Sequence, residues 1–367
     1  MTAVGPTDVP TRAGTKVSER SRRWWYAMST RTRRRLVTLG KLLLVVSVAG
    51  GGIWTAMHGI AGANWVDILQ VLRGVSVLHL LMLGAIWFGG LAIYSLVLAA
   101  ALPGLGVRRS LILNLSGSAV ANVVPLGGAV ATALNWRMVR TWGHSNAAFV
   151  AFYVLTNALD VLAKLLLPVA AVALLVSLST HVPMLLWLVT AGCLALILLA
   201  VVGHAFWRRP ASARATASRW RALVRDYLQD SGERIRVLLA GNWATLLPAS
   251  VAYVAAQVLL LWVALVSVGL SPSVEVLVTA AAIERLGTII PVTPAGAGIA
   301  ELGTIGWLVA AGLDPVEAVA GVLLYRVFLV VAEIPVGGLV LGGWAWRQRR
   351  SALRDQAADG GMTKAAA

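Results

Sequence analysis

The chain has 367 residues, of which 59% are hydrophobic and 13% charged, with a mean hydropathy of +0.80. Soluble domains carry ~25% charged residues, so this composition excludes an ordinary soluble protein and indicates an integral membrane protein. The formal net charge of +16 is not a nucleic-acid signal, because it concentrates in Arg12 to Lys41, Arg208 to Arg236 and Arg347 to Arg354, beside apolar runs. Basic segments flanking membrane spans report the cytoplasmic side and favour anionic lipid headgroups.

Residues 1–35 are polar and Arg-rich, with Pro6, Pro10 and Gly14, and read as a disordered basic cytoplasmic tail rather than a signal peptide. A membrane domain over 36–346 follows. Its first apolar run, Leu36 to Met57, is long enough to cross once. Gly59 to Ser76 is mixed and reads as an interfacial segment outside the membrane; Val77 to Leu102 crosses back.

Leu111 to Trp136 is apolar but broken at Asn122-Val-Val-Pro125-Leu-Gly127-Gly128, and Arg137 and Arg140 follow it. A plain crossing would strand those arginines outside. A re-entrant hairpin, for which the break supplies turn chemistry, keeps them cytoplasmic. Asn146 to Leu178 reads as a tilted or kinked span containing Pro168, and Pro183 to Phe206 as its return. The basic stretch 207–236 reads as a cytoplasmic loop with one amphipathic, surface-lying segment, separating a first half (77–178) from a second (238–346). Leu238 to Val268 crosses again, Val274 to Ala311 contains a second break, and Val316 to Trp346 returns to a cytoplasmic tail over 347–367.

The second break, Glu284 to Glu301, carries Pro291, Pro294, Gly296 and Gly298 among apolar neighbours. Proline removes a backbone donor, and in lipid every freed backbone group needs a partner, so such a segment must face protein or a watery cavity. A shift of 169 residues (294 − 125) lays Pro125 on Pro294, Gly127 on Gly296 and Gly143 on Gly312. Paired Gly/Pro interruptions in two halves point to a transporter-type site. The expected architecture is therefore an all-α polytopic membrane protein, with about six full spans and two re-entrant hairpins in an inverted-topology repeat.

Ionisable groups inside spans are expensive and face cavities or partners. They are Asp160, Lys164, Glu284, Arg285, Glu301, Arg326 and Glu333. Asp160 and Lys164, four apart on one helix face, form either a structural ion pair or part of a site. Arg326 and Glu333, read as two turns apart on one face, lie near Glu301 if the second hairpin packs on the last span. Arg326 then either holds a phosphate or pairs Glu301 to lock the hairpin. Gly296 and Gly298 let a half-helix begin without bulk, its free N–H groups aimed at an anion. Asn122 serves an anion in the same way, or caps broken backbone. There is no metal motif and no serine–histidine pairing, so the expectation is a non-enzyme without metal or cofactor.

Pro291-x-x-Pro294-x-Gly296-x-Gly298-x-x-Glu301, Gly312 and Tyr325-Arg326, with Asn122-x-x-Pro125-x-Gly127 in the first half, resemble the flippase-like membrane domain of lysylphosphatidylglycerol synthases and their stand-alone relatives. The resemblance covers roughly Leu42 to Trp346. Gly128-Ala129 stand where many relatives have an acidic residue, and Thr156-Asn157 where a Glu-Arg pair is frequent. The resemblance implies a cell-membrane protein that moves or presents a lipid, such as an aminoacylated phospholipid or a polyprenyl-linked glycan. The short sequence after the last span leads us not to expect synthase activity. The alternatives are a proton-coupled solute transporter using Asp160 or Glu301, or an accessory subunit partnering an envelope-lipid transferase.

Overall fold

The structure is a computed structural model and describes residues 64–123, 127–208, 219–289 and 297–365. The N-terminal tail, the first apolar run, Pro125, Pro291, Pro294 and Gly296 lie outside the described residues. Within them the chain is helical and contains no strand. The helices are α1 (Trp65–Arg73), α2 (Val77–Ala101), α3 (Val107–Val123), α4 (Gly127–Thr141), α5 (Asn146–Ser177), α6 (Met184–Arg208), α7 (Arg219–Ser267), α8 (Val274–Gly287), α9 (Ile299–Ala310), α10 (Pro315–Arg326) and α11 (Glu333–Ala365). A π-helical turn, Val327–Val331, joins the last two.

Five stretches are long and apolar enough to cross a membrane: Val77–Ala101, Asn146–Ser177, Met184–Val201, Gly232–Ser267 and Pro315–Ser351. Each coincides with a span expected from hydropathy. The helices begin where short polar side chains satisfy free N–H groups: Ser76 Oγ accepts from His79 N, Ser145 Oγ from Ala148 N, and Asp314 Oδ1 from Val316 N and Glu317 N. Pro315 follows Asp314 at the first helical position, where its missing N–H costs nothing.

Both broken segments fold back on themselves. In the first, a side chain at Gly117 would meet Asn135, and one at Gly127 would lie 2.2 Å from the Ala121 carbonyl oxygen. Contacts between positions equally far either side of the break mean that α3 and α4 run antiparallel. In the second, Gly287 abuts Ala300, Gly303 abuts Ile283, and Trp307 Nε1 donates to the Val276 carbonyl oxygen at 3.0 Å, pairing α8 with α9 in the same way.

The shift of 169 residues holds in local geometry. Gly143 and Gly312 both take left-handed backbone (φ +91° and +85°). The hydrogen bonds that close the preceding helices match one for one: Trp142 N to Met138 O and Ala311 N to Trp307 O; Gly143 N to Arg140 O and Gly312 N to Val309 O; His144 N to Val139 O and Leu313 N to Leu308 O. Each ends a helix in a glycine C-cap, followed two residues later by the polar N-cap of the next. Two buried cores accompany the halves. Val97, Leu113, Met138, Phe152 and Leu246 pack around the first hairpin. Leu265, Ala280, Leu308 and Ala320 pack around the second.

Two expectations need correction. The basic stretch read as a loop over 207–236 is helical from Arg219, in a helix that continues to Ser267 without a break despite Pro248. Arg, Leu and Ala favour helix, and the following span supplies a nucleus on which such a sequence propagates. Arg326 and Glu333 do not share a face. The intervening π turn, closed by Ala332 N to Val327 O at 2.8 Å, takes up an additional residue and rotates Glu333 away from Arg326.

Candidate functional site

The second hairpin brings its charges together with the end of α10 inside the protein. Glu284 and Arg285, at the end of α8, are both buried, as are Glu301 on α9 and Arg326 on α10. Arg326 Nε donates to Glu301 Oε1 at 2.6 Å, and its Nη1 to Glu284 Oε1 at 3.3 Å. Arg285 forks onto Glu284, with Nη2 to Oε1 at 2.6 Å and Nε to Oε2. Arg285 also donates to Gln257 Oε1 on α7 and, at 2.8 Å, to the Tyr325 hydroxyl. Tyr325 in turn donates to Glu284 Oε2 at 3.3 Å. Two carboxylates face two guanidiniums, so the cluster is neutral, which is what allows four charges to be buried together.

Glu301 has a second task. Its Oε2 accepts from the backbone N–H of Gly298 at 2.6 Å, where the chain turns into α9 with φ +89°. The half-helix start that glycine permits is thus occupied by the chain's own carboxylate, three residues on, in the reach-back half of a capping box. Both oxygens of Glu301 are engaged, one tying the break and the other tying α10.

Asn122, the penultimate residue of α3, reaches the last span instead. Its Nδ2 lies 3.3 Å from Glu333 Oε2 and 3.4 Å from the Val330 carbonyl oxygen within the π turn. It therefore serves irregular backbone and a carboxyl at once. Gly127 is obligatory for the hairpin's close approach, whereas Gly128 has open space where a Cβ would stand.

Asp160 and Lys164 pair at 2.7 Å along α5 and are partly exposed. They line a pocket with Tyr94 and Thr156 on one side and Ser250, Tyr253, Gln257 and Arg285 on the other. This pocket shares Leu159, Ala163, Leu167, Ser250 and Val254 with a groove of about 840 Å³ between α5, α7 and the start of α8. Among the described residues that line the groove, Ser250 is the only one with a polar side chain apart from the Trp262 indole; the others include Leu162, Leu166, Leu174, Val251 and Val258. A charged pocket thus opens onto an apolar trough.

The charged residues legible in the sequence divide into the neutral cluster, the Asp160–Lys164 pocket, and Glu333 with Asn122. Sequence reading missed Gln257, Tyr94 and Tyr253. A lone amide or phenol amid Leu, Val and Ala was the available signal. Among the described residues no group of His, Cys, Asp and Glu is arranged to hold a metal.

No individually curated protein matches this sequence. The family model described as the lysylphosphatidylglycerol synthase TM region matches residues 39–337. That range takes in both hairpins, the apolar groove, the neutral cluster and Glu333. A multi-pass helical chain matched over most of its length, including every element that builds the site, belongs to the lysylphosphatidylglycerol synthase transmembrane-region family.

Proposed function

We propose that this protein is a lipid translocase or lipid-binding transporter of the cell membrane, acting on a phospholipid or polyprenyl-linked lipid and not an enzyme. The observation that carries the reading is the junction of the Asp160–Lys164 pocket with the apolar groove between α5 and α7. An amphiphile needs both phases at once. A chain moving from bilayer to groove gains little, since lipid is already apolar. The head, too large for the water-sized pocket itself, meets Asp160 and Lys164 at its mouth, where they replace part of its hydration and lipid would offer none. The groove volume falls within the range of sites that hold small ligands.

In this reading α3–α4 and α8–α9 are re-entrant hairpins, entering from opposite faces as inverted repeats, with both termini cytoplasmic. The matched C-caps at Gly143 and Gly312 support a repeat of the two halves. The basic segments support contact with anionic headgroups on the cytoplasmic face.

The test is mass spectrometry of lipids retained by the purified protein, comparing wild type with Ala163→Trp and Val254→Trp at the junction. Leu199→Trp, on an exposed part of α6, is the control. Selective enrichment of one lipid, lost in both junction variants and kept in the control, is expected. The same bulk lipids in all four proteins would refute the reading and favour a solute carrier or an accessory subunit.

A further inference from the structure

Glu333 breaks the pattern of compensated charge. Glu284 and Glu301 each meet a guanidinium, whereas Glu333, 8% exposed, has no basic side chain among the described residues within ion-pair distance. Its neighbours among the described residues are uncharged. Asn122 donates from α3, and Ser118 lies one turn earlier on the same helix. Tyr253 and Gln257 face it from α7, Trp87 from α2 and Leu329 from the π turn. Tyr253 is the only titratable side chain among these.

An ionised carboxylate buried without a cation is costly, and taking up a proton removes the cost. The surroundings suit either state. An amide N–H can donate to the carboxyl oxygen in both, and a serine hydroxyl can donate to the carboxylate or accept from the acid.

A route for the proton is also present. Glu333, Trp87, Tyr253 and Gln257 line a cavity of about 20 Å³. A second, also about 20 Å³, is lined by Tyr253, Gln257, Tyr94, Arg285, Asp160 and Lys164. Each has room for one water molecule, for which roughly 10–15 Å³ suffices. The buried indole N–H of Trp87 has no protein partner among the described residues, as expected of a group that bonds to water. Tyr253 and Gln257 belong to both cavities, so a phenol and an amide separate two water-sized spaces. The far end is Asp160, 37% exposed at the mouth of the groove.

We propose that Glu333 is a proton-binding site that couples lipid movement to a proton gradient. A proton entering beside Asp160 passes through the two cavities by way of Tyr253 to Glu333, where an O–H bond forms on the carboxylate; the donating water is reprotonated from bulk, and no other bond or electron changes. With the proton bound, Asn122 holds the end of α3 on the π turn. With it lost, the uncompensated charge draws in water, which competes with Asn122 for the carboxylate oxygens and loosens the end of α3 from the π turn. This rests on the lipid-transporter reading for what is moved, but not for whether Glu333 binds a proton.

Two measurements separate the two claims. Infrared difference spectroscopy of the full chain in bilayers, as pH is changed, should show a protonated-carboxyl band that is absent from Glu333→Gln and slower to exchange in Tyr253→Phe. The glutamine copies the neutral form and keeps an acceptor for Asn122, so it should fold. In vesicles carrying a fluorescent phospholipid, a pH gradient should bias its distribution between leaflets with wild type. Glu333→Gln should lose the bias yet still equilibrate lipid. A wild-type spectrum with no band assignable to Glu333 overturns the proposal, whatever the transport result. So does a gradient-driven bias that survives Glu333→Gln. If the band is present but wild type moves no lipid, the proton site stands and the lipid reading fails.

Discussion

Replacing Arg326 by methionine tests the neutral cluster most directly. Arg326 is the only cation paired with Glu301 in the described structure, through a 2.6 Å contact, whereas Glu284 also holds Arg285. The variant therefore leaves one carboxylate, 4% exposed, without a counter-charge. Breaking a buried pair in this way costs about 3–5 kcal/mol. For the variant that is a loss of roughly 10²- to 10⁴-fold in the folding equilibrium.

Adding Glu301→Gln removes the uncompensated charge and should recover about 2 kcal/mol, short of full rescue because a single amide oxygen replaces two acceptors. Unfolding in mixed micelles, for the wild type, both single variants and the double, measures the cycle. Additive losses, or a penalty for Arg326→Met below about 1 kcal/mol, would refute charge compensation as the reason for this cluster.

Other outcomes follow from the same geometry. A Cβ at Gly337 would lie 2.1 Å from the Leu115 carbonyl oxygen, so Gly337→Leu should lower the melting temperature sharply or prevent folding, while Gly338→Ala, with open space around it, should not. Gly127→Ala and Gly128→Ala form a second pair: only the first should loosen the α3–α4 hairpin, seen as faster amide exchange there. Asn122→Ala removes two hydrogen bonds to the last span and should cost about 1–2 kcal/mol, with faster amide exchange at the end of α3. Lys164→Ala should cost less than about 1 kcal/mol, because its partner Asp160 is partly solvated, yet should reduce retained lipid.

Much of this architecture was legible in the sequence because lipid imposes simple rules. Hydropathy marked the spans, since a crossing helix must be apolar over ~20 residues. The two Gly/Pro-rich stretches lie between the described ends of α3 and α8 and the starts of α4 and α9, because broken backbone in an apolar setting needs special residues. The buried ions were identifiable as a set, being costly wherever they sit.

Their partners were not legible, because pairing is decided by how distant helices meet. The sequence left Arg326 a choice between a phosphate and Glu301; the packing of α9 on α10 puts Glu301 on it and brings Glu284 alongside. It placed Glu333 on the face of Arg326, since periodicity assumes uniform α-helix. A single π turn rotates it to Asn122, 211 positions earlier in the chain. Gln257, Tyr253 and Trp87 stand in apolar stretches with no local motif to mark them. Only when α2, α7 and the last span come together do they line the small cavities between Glu333 and Asp160. Composition and local breaks determine which groups must be hidden, whereas the crossing of helices determines which of them meet.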